Sequence, residues 1–390
     1  MTKKPKSLAL SDQQVHVPQA APGLRLERHR HDVNLAIERV LHSGSLILGP
    51  ETQAFEREFA DDLGLPHVVG VASGTDALSL GLRAVGVAPG DNVLVPALSA
   101  PATAAAVLNV GAQLNFVDVE PRSRGLDPAR LRAAAGKRTS AIIAVHLHGL
   151  AAEIVEIAGV ARTLGLPLIE DCAQAHGANK DGVRVGCFGD VAAFSFYPTK
   201  NLGGVGDGGC VATSQALLAD AVRRLRAYGV GASGLCEEPG TNSRLDEIQA
   251  AVLRVMLGHL EANNAERRDF ARFYNRIFEE IGGSLDISVP QTNVGHVYHQ
   301  YAITLPRRDE LMQALAQQSV NTAVHYAVPL HHHPAFAKAG SSPQQSYPVA
   351  ENLARTLVSM PIQPELRQHE NAISQAVTSA VRDLEAGGVP

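Results

Sequence analysis

Between His67 and Phe196, short β-rich runs alternate with segments of helical period, and this alternation restricts the chain to very few architectures. The runs are His67 to Val71, Asn92 to Val95, Leu114 to Val119, Ala141 to Leu147, Leu166 to Glu170 and Val191 to Phe196. Between most of them lie apolar residues at helical spacing, such as Leu78, Leu82 and Val85, then Val155, Val160 and Leu164. Strands joined by crossover helices pair in parallel and are covered on both faces, so the pattern predicts an α/β unit with a largely parallel sheet. Ligands of such sheets bind beyond the carboxyl ends of the strands.

The flanks read differently. Residues 1–22 carry lysine, glutamine and proline without periodicity and are expected to form a flexible arm, with structure starting after Gly23. Asp32 can cap a helix bearing Val33, Ile37, Val40 and Leu41, and a second helix follows Gly49-Pro50 with Phe55, Phe59 and Leu63 in line. From Leu245 to Phe278 the pattern is mostly helical and bridges to a smaller α+β unit. There, short strands (Tyr301 to Leu305, Ala323 to Tyr326) mix with helices (Asp309 to Gln318, Val349 to Leu357). A chain of 390 residues holds roughly two or three domains. The expected division is an arm over 1–22, a large domain over 23–255 and a small domain over 256–390.

Composition removes several function classes. A net charge of -5 lacks the basic footprint of a nucleic-acid binder. The four cysteines, Cys172, Cys187, Cys210 and Cys236, show no CxxC spacing, which argues against a zinc site and a disulfide framework and points to a reducing cytoplasm. Lys3-Lys4-Pro5-Lys6 is not followed by the apolar stretch of a signal peptide, and the longest apolar runs fall far short of the ~20 residues of a membrane span.

Three features fall at strand ends. Ser73-Gly74-Thr75 precedes a helix, where free N–H groups and hydroxyls suit a phosphate, or where Ser73 simply caps the helix. Glu170-Asp171 closes an apolar strand; a buried carboxylate there needs a cationic or hydrogen-bonding partner, either a pyridinium nitrogen or an arginine or turn. Lys200 follows the aromatic strand Phe194 to Phe196 and precedes a glycine-rich loop, so its amine is expected to be partly desolvated and nucleophilic. It is one of only seven lysines among 34 basic residues, the others being Lys3, Lys4, Lys6, Lys137, Lys180 and Lys338. Two patterns are set aside. Gly204-x-Gly206-x-x-Gly209 matches a dinucleotide fingerprint but leads into strand-like Cys210 to Thr213 instead of a helix. His331-His332-His333 is read as loop, not metal site, for want of a supporting carboxylate or cysteine.

Phosphate turn, aspartate, serine and lysine, in that order, resemble the fold type I pyridoxal-phosphate transferases. More closely, the chain resembles the DegT/DnrJ/EryC1/StrS sugar aminotransferases. The resemblance spans about Gly49 to Ile362. It rests on Gly49-Pro50-Glu51, Ser73-Gly74-Thr75, the stretch Glu170 to Gly177, Phe188-Gly189-Asp190, Ser195 to Gly203, Gly206 to Gly209, Asn242 to Ala251, His325-Tyr326 and Pro348 to Glu351. It implies pyridoxal 5′-phosphate as cofactor, with Lys200 as its covalent anchor and proton shuttle and Asp171 holding the pyridine nitrogen protonated. Ser73, Gly74, Thr75 and Ser195 would bind the phosphate, joined by Asn242 from the second subunit of a homodimer. Gln174 would lie beside the ring, and His299, His325 and Tyr326 near the sugar. The implied reaction aminates a nucleotide-linked keto sugar with L-glutamate as donor. Tyr228-Gly229 followed by Asn242 to Glu247 looks more like members acting at C3 than at C4. The sequence departs from the family where Ala100 replaces an aromatic residue over the ring, and where His148 and Leu150 replace tyrosine and glutamine. A sugar dehydratase of the same fold would carry histidine in place of Lys200, and a non-catalytic cofactor-binding regulator usually carries an added DNA-binding module.

Overall fold

The computed structural model describes residues 15–281, 283, 285–340 and 346–387. The six β-rich runs become β1 (His67–Val71), β2 (Asn92–Pro96), β3 (Gln113–Val117), β4 (Thr139–Val145), β5 (Leu168–Asp171) and, after the small hairpin of β6 (Asn179–Lys180) and β7 (Val183–Arg184), β8 (Val191–Ser195). With β9 (Gly209–Thr213) they form a seven-stranded sheet in the order β1-β9-β8-β5-β4-β2-β3. β3, β2, β4, β5 and β8 run parallel, whereas β9 is antiparallel to both β1 and β8. The glycine-rich loop after Lys200 thus returns the chain as a strand, and the dinucleotide reading fails in three dimensions as well.

Alternation along each strand divides the core. On β8, Val191 and Ala193 pack with Leu78 and Leu82 of the helix Gly74–Ala84, whereas Ala192 and Phe194 pack with Phe55 and Phe59 of the helix Pro50–Leu63. Phe59 and Phe194 meet edge to face at 5.1 Å. A separate core lies in the C-terminal part, where β10 (Tyr301–Thr304) pairs antiparallel with β11 (Leu357–Met360). Phe270 and Tyr274 of the long helix Leu260–Ile281, together with Val377 of the helix Glu370–Glu385, close over it. Among the described residues, no helix is long and apolar enough to cross a membrane.

Three expectations are corrected. The arm is ordered well before Gly23. Val17 is fully buried in the C-terminal core, its N–H donates to Ser319 O at 2.8 Å, its carbonyl accepts from Asn321 at 2.9 Å, and a helix already begins at Pro22. The run Val15-His16-Val17-Pro18 is too short for a periodicity that would reveal it. Lys3, Lys4 and Lys6 lie outside the described residues. Asp32 does not cap its helix, which begins at Arg30 and places Asp32 within the first turn, where its charge complements the helix dipole. Finally, Ala323 to Tyr326 is not a strand: Ala323 forms a single bridge to Ser359, after which the chain turns His325 and Tyr326 toward the sheet's ligand end.

Because Val17 supplies the apolar anchor of the arm, Val17→Ala is expected to destabilise the fold by about 2 kcal/mol through lost methyl burial and the cavity left behind. A lowered urea midpoint would register this. An unchanged midpoint would mean that the arm contributes nothing to the C-terminal core.

Candidate active site

At the carboxyl ends of β2, β5 and β8 lies a cavity of about 410 Å³ whose wall includes Ser73, Gly74, Thr75, Gln174, Ser195, Lys200, His299, His325 and Tyr326. Asp171 and Ala100 also face it. Of the residues singled out from sequence, Asn242 alone stands apart: it is exposed, while its neighbour Ser243 is buried, donating to Asp76 Oδ2 at 2.7 Å and accepting from Ala72 N–H at 3.0 Å.

The capping reading of Ser73 holds. Its Oγ accepts the Asp76 N–H at 3.1 Å and so caps the helix Gly74–Ala84. The N–H groups of Gly74 and Thr75, which helix geometry leaves without internal partners, remain at the cavity wall. The approach of this turn to the neighbouring strands requires glycine. A Cβ on Gly74 would fall 2.6 Å from Ser195 Cβ, and one on Gly209 would fall 2.4 Å from the Ser73 carbonyl carbon. Backbone, hydroxyl and helix dipole thus converge on one part of the cavity wall, where an anion is favoured.

Strand alternation separates the two acids that adjoin in sequence. Glu170 is fully buried on the far side and saturated: Oε1 accepts from Phe188 and Gly189 N–H at 2.7 Å each, Oε2 from Gly186 N–H at 2.8 Å and from His146 at 3.0 Å. His146 Nδ1 accepts the Ala152 N–H, so the proton on Nε2 serves Glu170. Asp171 turns instead to the cavity with two neutral donors, Thr103 Oγ1 at 2.9 Å and Ala173 N–H at 3.2 Å. Burial pushes its carboxyl above the ordinary range, against the pull of Thr103, Ala173 and the more distant Lys200. No cation among the described residues hydrogen-bonds it, so a bound pyridinium would supply the charge that Asp171 lacks.

Lys200 is held through its backbone by Arg25, whose Nη1 donates to the Lys200 carbonyl at 2.6 Å and whose Nη2 donates to Pro198 O at 2.7 Å. Burial lowers the amine to about 8, opposed by the attraction of Asp171. The free amine needed for attack on an aldehyde is thereby available near neutral pH. Pyridoxal 5′-phosphate therefore fits the residues present: a phosphate turn, an unmatched carboxylate and a desolvated amine on one cavity.

The polar side of the cavity is a connected network. Arg124 Nη1 donates to His148 Nδ1 at 2.9 Å, which leaves the proton on Nε2 to donate to His325 O at 2.8 Å. The His148 N–H donates to Gln174 Oε1 at 2.7 Å, which turns the amide so that Nε2 donates to the Tyr326 hydroxyl at 3.0 Å. His299 Nδ1 lies 3.2 Å from Asn201 Oδ1. Burial, with Lys200 second, holds His299 well below and His325 at about 4, so both imidazoles are neutral in the working range. Burial raises the Tyr326 hydroxyl to about 12.

Sequence reasoning missed Arg25, Thr103, Thr199 and Gln300, all of which touch the site or its lysine loop. Nothing local marks Arg25, which lies 175 positions from the carbonyl it holds, or Thr103, which lies 68 from Asp171. The reading of the histidine run also needs correction on one point, because a carboxylate does accompany it. Glu351 Oε1 sits 3.2 Å from His331 Nε2 and also accepts the Tyr347 N–H at the start of the helix Pro348–Thr356.

The lowered Lys200 pKa carries a sign that can be checked. When the cofactor-free chain is mixed with pyridoxal phosphate and trapped by borohydride, the rate of covalent capture should rise with pH through about 8, as the amine loses its proton, and level off above it. Peptide mapping should place the label on Lys200; label on Lys180 or Lys137 would refute the assignment.

The chain is similar to known proteins over most of its length. The model of the DegT/DnrJ/EryC1/StrS aminotransferase family matches residues 27–381. The chain is 44% identical over 360 residues to the erythromycin biosynthesis sensory transduction protein EryC1 of Saccharopolyspora erythraea, covering 92% of this chain and 96% of the relative. It is also 44% identical over 359 residues to the UDP-N-acetyl-3-dehydro-alpha-D-glucosamine 3-aminotransferase of Acidithiobacillus ferrooxidans, covering 90% and 95%. The crystal structure of S. venezuelae DesV superposes with a TM-score of 0.89 at 42% identity, covering 96% of this chain and all (100%) of DesV. On a family match over most of its length and on these relatives, this chain belongs to the DegT/DnrJ/EryC1/StrS aminotransferase family.

Proposed function

We propose that this protein transfers an amino group from L-glutamate to the C3 ketone of a nucleotide-linked 3-keto-6-deoxyhexose, with pyridoxal 5′-phosphate as cofactor. The observation that carries the reading is the desolvated Lys200 amine on the same cavity as Asp171 and the helix N-terminus at Gly74. Bound there, the cofactor supplies an aldehyde that accepts amines and an electron-withdrawing ring. Lys200 anchors it and moves the proton at the reacting carbon. Asp171 keeps the ring nitrogen protonated, the N–H groups of Gly74 and Thr75 with the Ser73 and Ser195 hydroxyls hold the phosphate, and Gln174 borders the ring. His299, His325 and Tyr326 present neutral polar groups to the sugar, and Ala100 leaves room for it where an aromatic side chain would narrow the cavity. The C3 assignment draws support from the Acidithiobacillus relative, named as a 3-aminotransferase. EryC1 bears a sensory name, yet the present chain keeps the whole chemical constellation, including the lysine that a non-catalytic binder does not need.

The reading extends to assembly and place. Residues 23–255 form the cofactor-binding domain and 256–390 the small domain. A homodimer shares its sites, with Asn242, exposed in the single chain, reaching the cofactor phosphate of a second copy. The compartment is the cytoplasm, where four unpaired cysteines, Cys236 exposed among them, persist in the reduced state.

Mass spectrometry of products from a panel of nucleotide-linked keto sugars with L-glutamate tests the reaction. The 3-keto-6-deoxyhexose should be aminated fastest. A faster 4-keto isomer would overturn the regiochemistry, and no reaction with any nucleotide sugar would move the acceptor to another class of ketone. Shared sites are tested by mixing Lys200→Ala subunits with Asn242→Ala subunits, since a heterodimer regains one intact site. Activity above either parent is expected; none after confirmed subunit exchange would exclude the shared arrangement.

A further inference from the structure

Beside the cavity is an annex of about 100 Å³ that shares Thr199, His299, Gln300 and His325 with its wall and is not lined by Ser73, Gly74 or Thr75. The remaining wall is Gln19 and Ala20 of the N-terminal arm, Arg267, Ile362 and Gln363. Among the described residues, no carboxylate stands in it. Arg267, on the helix Leu260–Ile281, is 3% exposed and donates from Nη1 to Tyr298 O at 3.1 Å, and this single backbone carbonyl leaves most of its five donors uncommitted to it. The acid acting on Arg267 is Glu365, which is not part of the annex wall.

The amides beside it are turned the same way. Gln363 Oε1 accepts the Ala21 N–H, a group that can only donate, so the Gln363 NH₂ is the end left over. Gln300 Oε1 accepts from Gln19 Nε2 at 2.8 Å, which leaves the Gln300 NH₂ likewise. A guanidinium and two amide NH₂ groups, with the Thr199 hydroxyl beside them, make a wall of donors around a space too small for a nucleotide and suited to a carboxylate. It shares four wall residues with the cavity that holds Lys200, the amine where a donor amino acid must react.

We propose that this annex is the carboxylate-recognition subsite for the amino donor, with Arg267 as its specificity-determining charge and Gln300 and Gln363 as supporting donors. The inference rests on the reading of the chain as an aminotransferase with an amino-acid donor, and it places the donor carboxylate on the side remote from the phosphate turn. The arm residue Gln19 orients Gln300 and thereby helps to shape the subsite.

The two half-reactions separate this role from the alternatives. With cofactor-loaded protein, the L-glutamate half-reaction is followed by loss of the cofactor's visible absorbance, and the reverse half-reaction by its recovery with a nucleotide keto sugar. Arg267→Gln should raise the glutamate concentration needed for half-maximal rate by about 30- to 100-fold, as expected for losing a charge-assisted pair. It should leave the keto-sugar half-reaction, cofactor affinity and melting temperature near wild type, and should abolish competition by glutarate. Should Arg267→Gln not fold, Arg267→Lys is read instead, with a rise of about 10-fold because charge remains but the bidentate fork is lost. An unchanged glutamate dependence in folded, loaded protein overturns the proposal. So does an equal loss in both half-reactions, which marks a structural arginine, or a loss confined to the keto sugar, which assigns the annex to the diphosphate. Wild-type protein that reacts with glutamate but with no nucleotide sugar would sink the proposed acceptor while leaving the donor subsite standing.

Discussion

The placement of the reactive lysine depends on one buried guanidinium. Arg25 gathers the carbonyls of Pro198, Lys200, Asn201 and Gly203, two through each terminal nitrogen, and is 4% exposed. A loop rich in glycine has many conformations and buried carbonyls that need donors; the rigid fork of an arginine satisfies several at once and selects a single path for the chain. Burial depresses the Arg25 pKa, with Glu365 pulling the other way, so the charge is held there at a cost that the four carbonyls offset. Without that clamp, Lys200 would have no reason to sit opposite Asp171.

The electrostatic character of the site follows from what each buried group lacks. Glu170 has four donors and needs nothing further, whereas Asp171, one position along the same strand, has two neutral donors and faces open space. The difference comes from the pleat, which sends successive side chains to opposite faces. Lys200 and Asp171 attract one another, yet desolvation is the larger effect on both, so each is left closer to its neutral form than it would be in water. A cofactor with a cationic ring nitrogen and an aldehyde would relieve both, Asp171 holding the one and Lys200 the other.

The N-terminal arm and the C-terminal core prove to be parts of one structure. Val17 is buried among Phe270, Tyr274 and Val320, and two residues later Gln19 joins the wall of the annex beside the cavity. The helix that presents Arg267 and the segment that presents His299 and Gln300 belong to the same C-terminal half. The large sheet therefore supplies Lys200, Asp171 and the Ser73-Gly74-Thr75 turn to the cavity, while the rest of the chain supplies His299, Gln300, His325 and Tyr326 to its wall.

Apolar periodicity alone determined the six parallel-type runs, the helices between them and the strand ends at Ser73, Asp171 and Lys200, because burial on a regular element leaves a repeating trace in the chain. The ordered motifs around those ends carried the family resemblance, and with it the expectation that His299, His325 and Tyr326 share the cavity. Only the tertiary structure decided which of two adjacent acids faces the cavity, that Arg25 and Thr103 serve Lys200 and Asp171, that Val17 anchors the arm, and that Arg267 with two oriented glutamines lines an annex. These are single residues, distant in sequence, whose partners are fixed by packing and not by any local period, so nothing in the linear order could announce them.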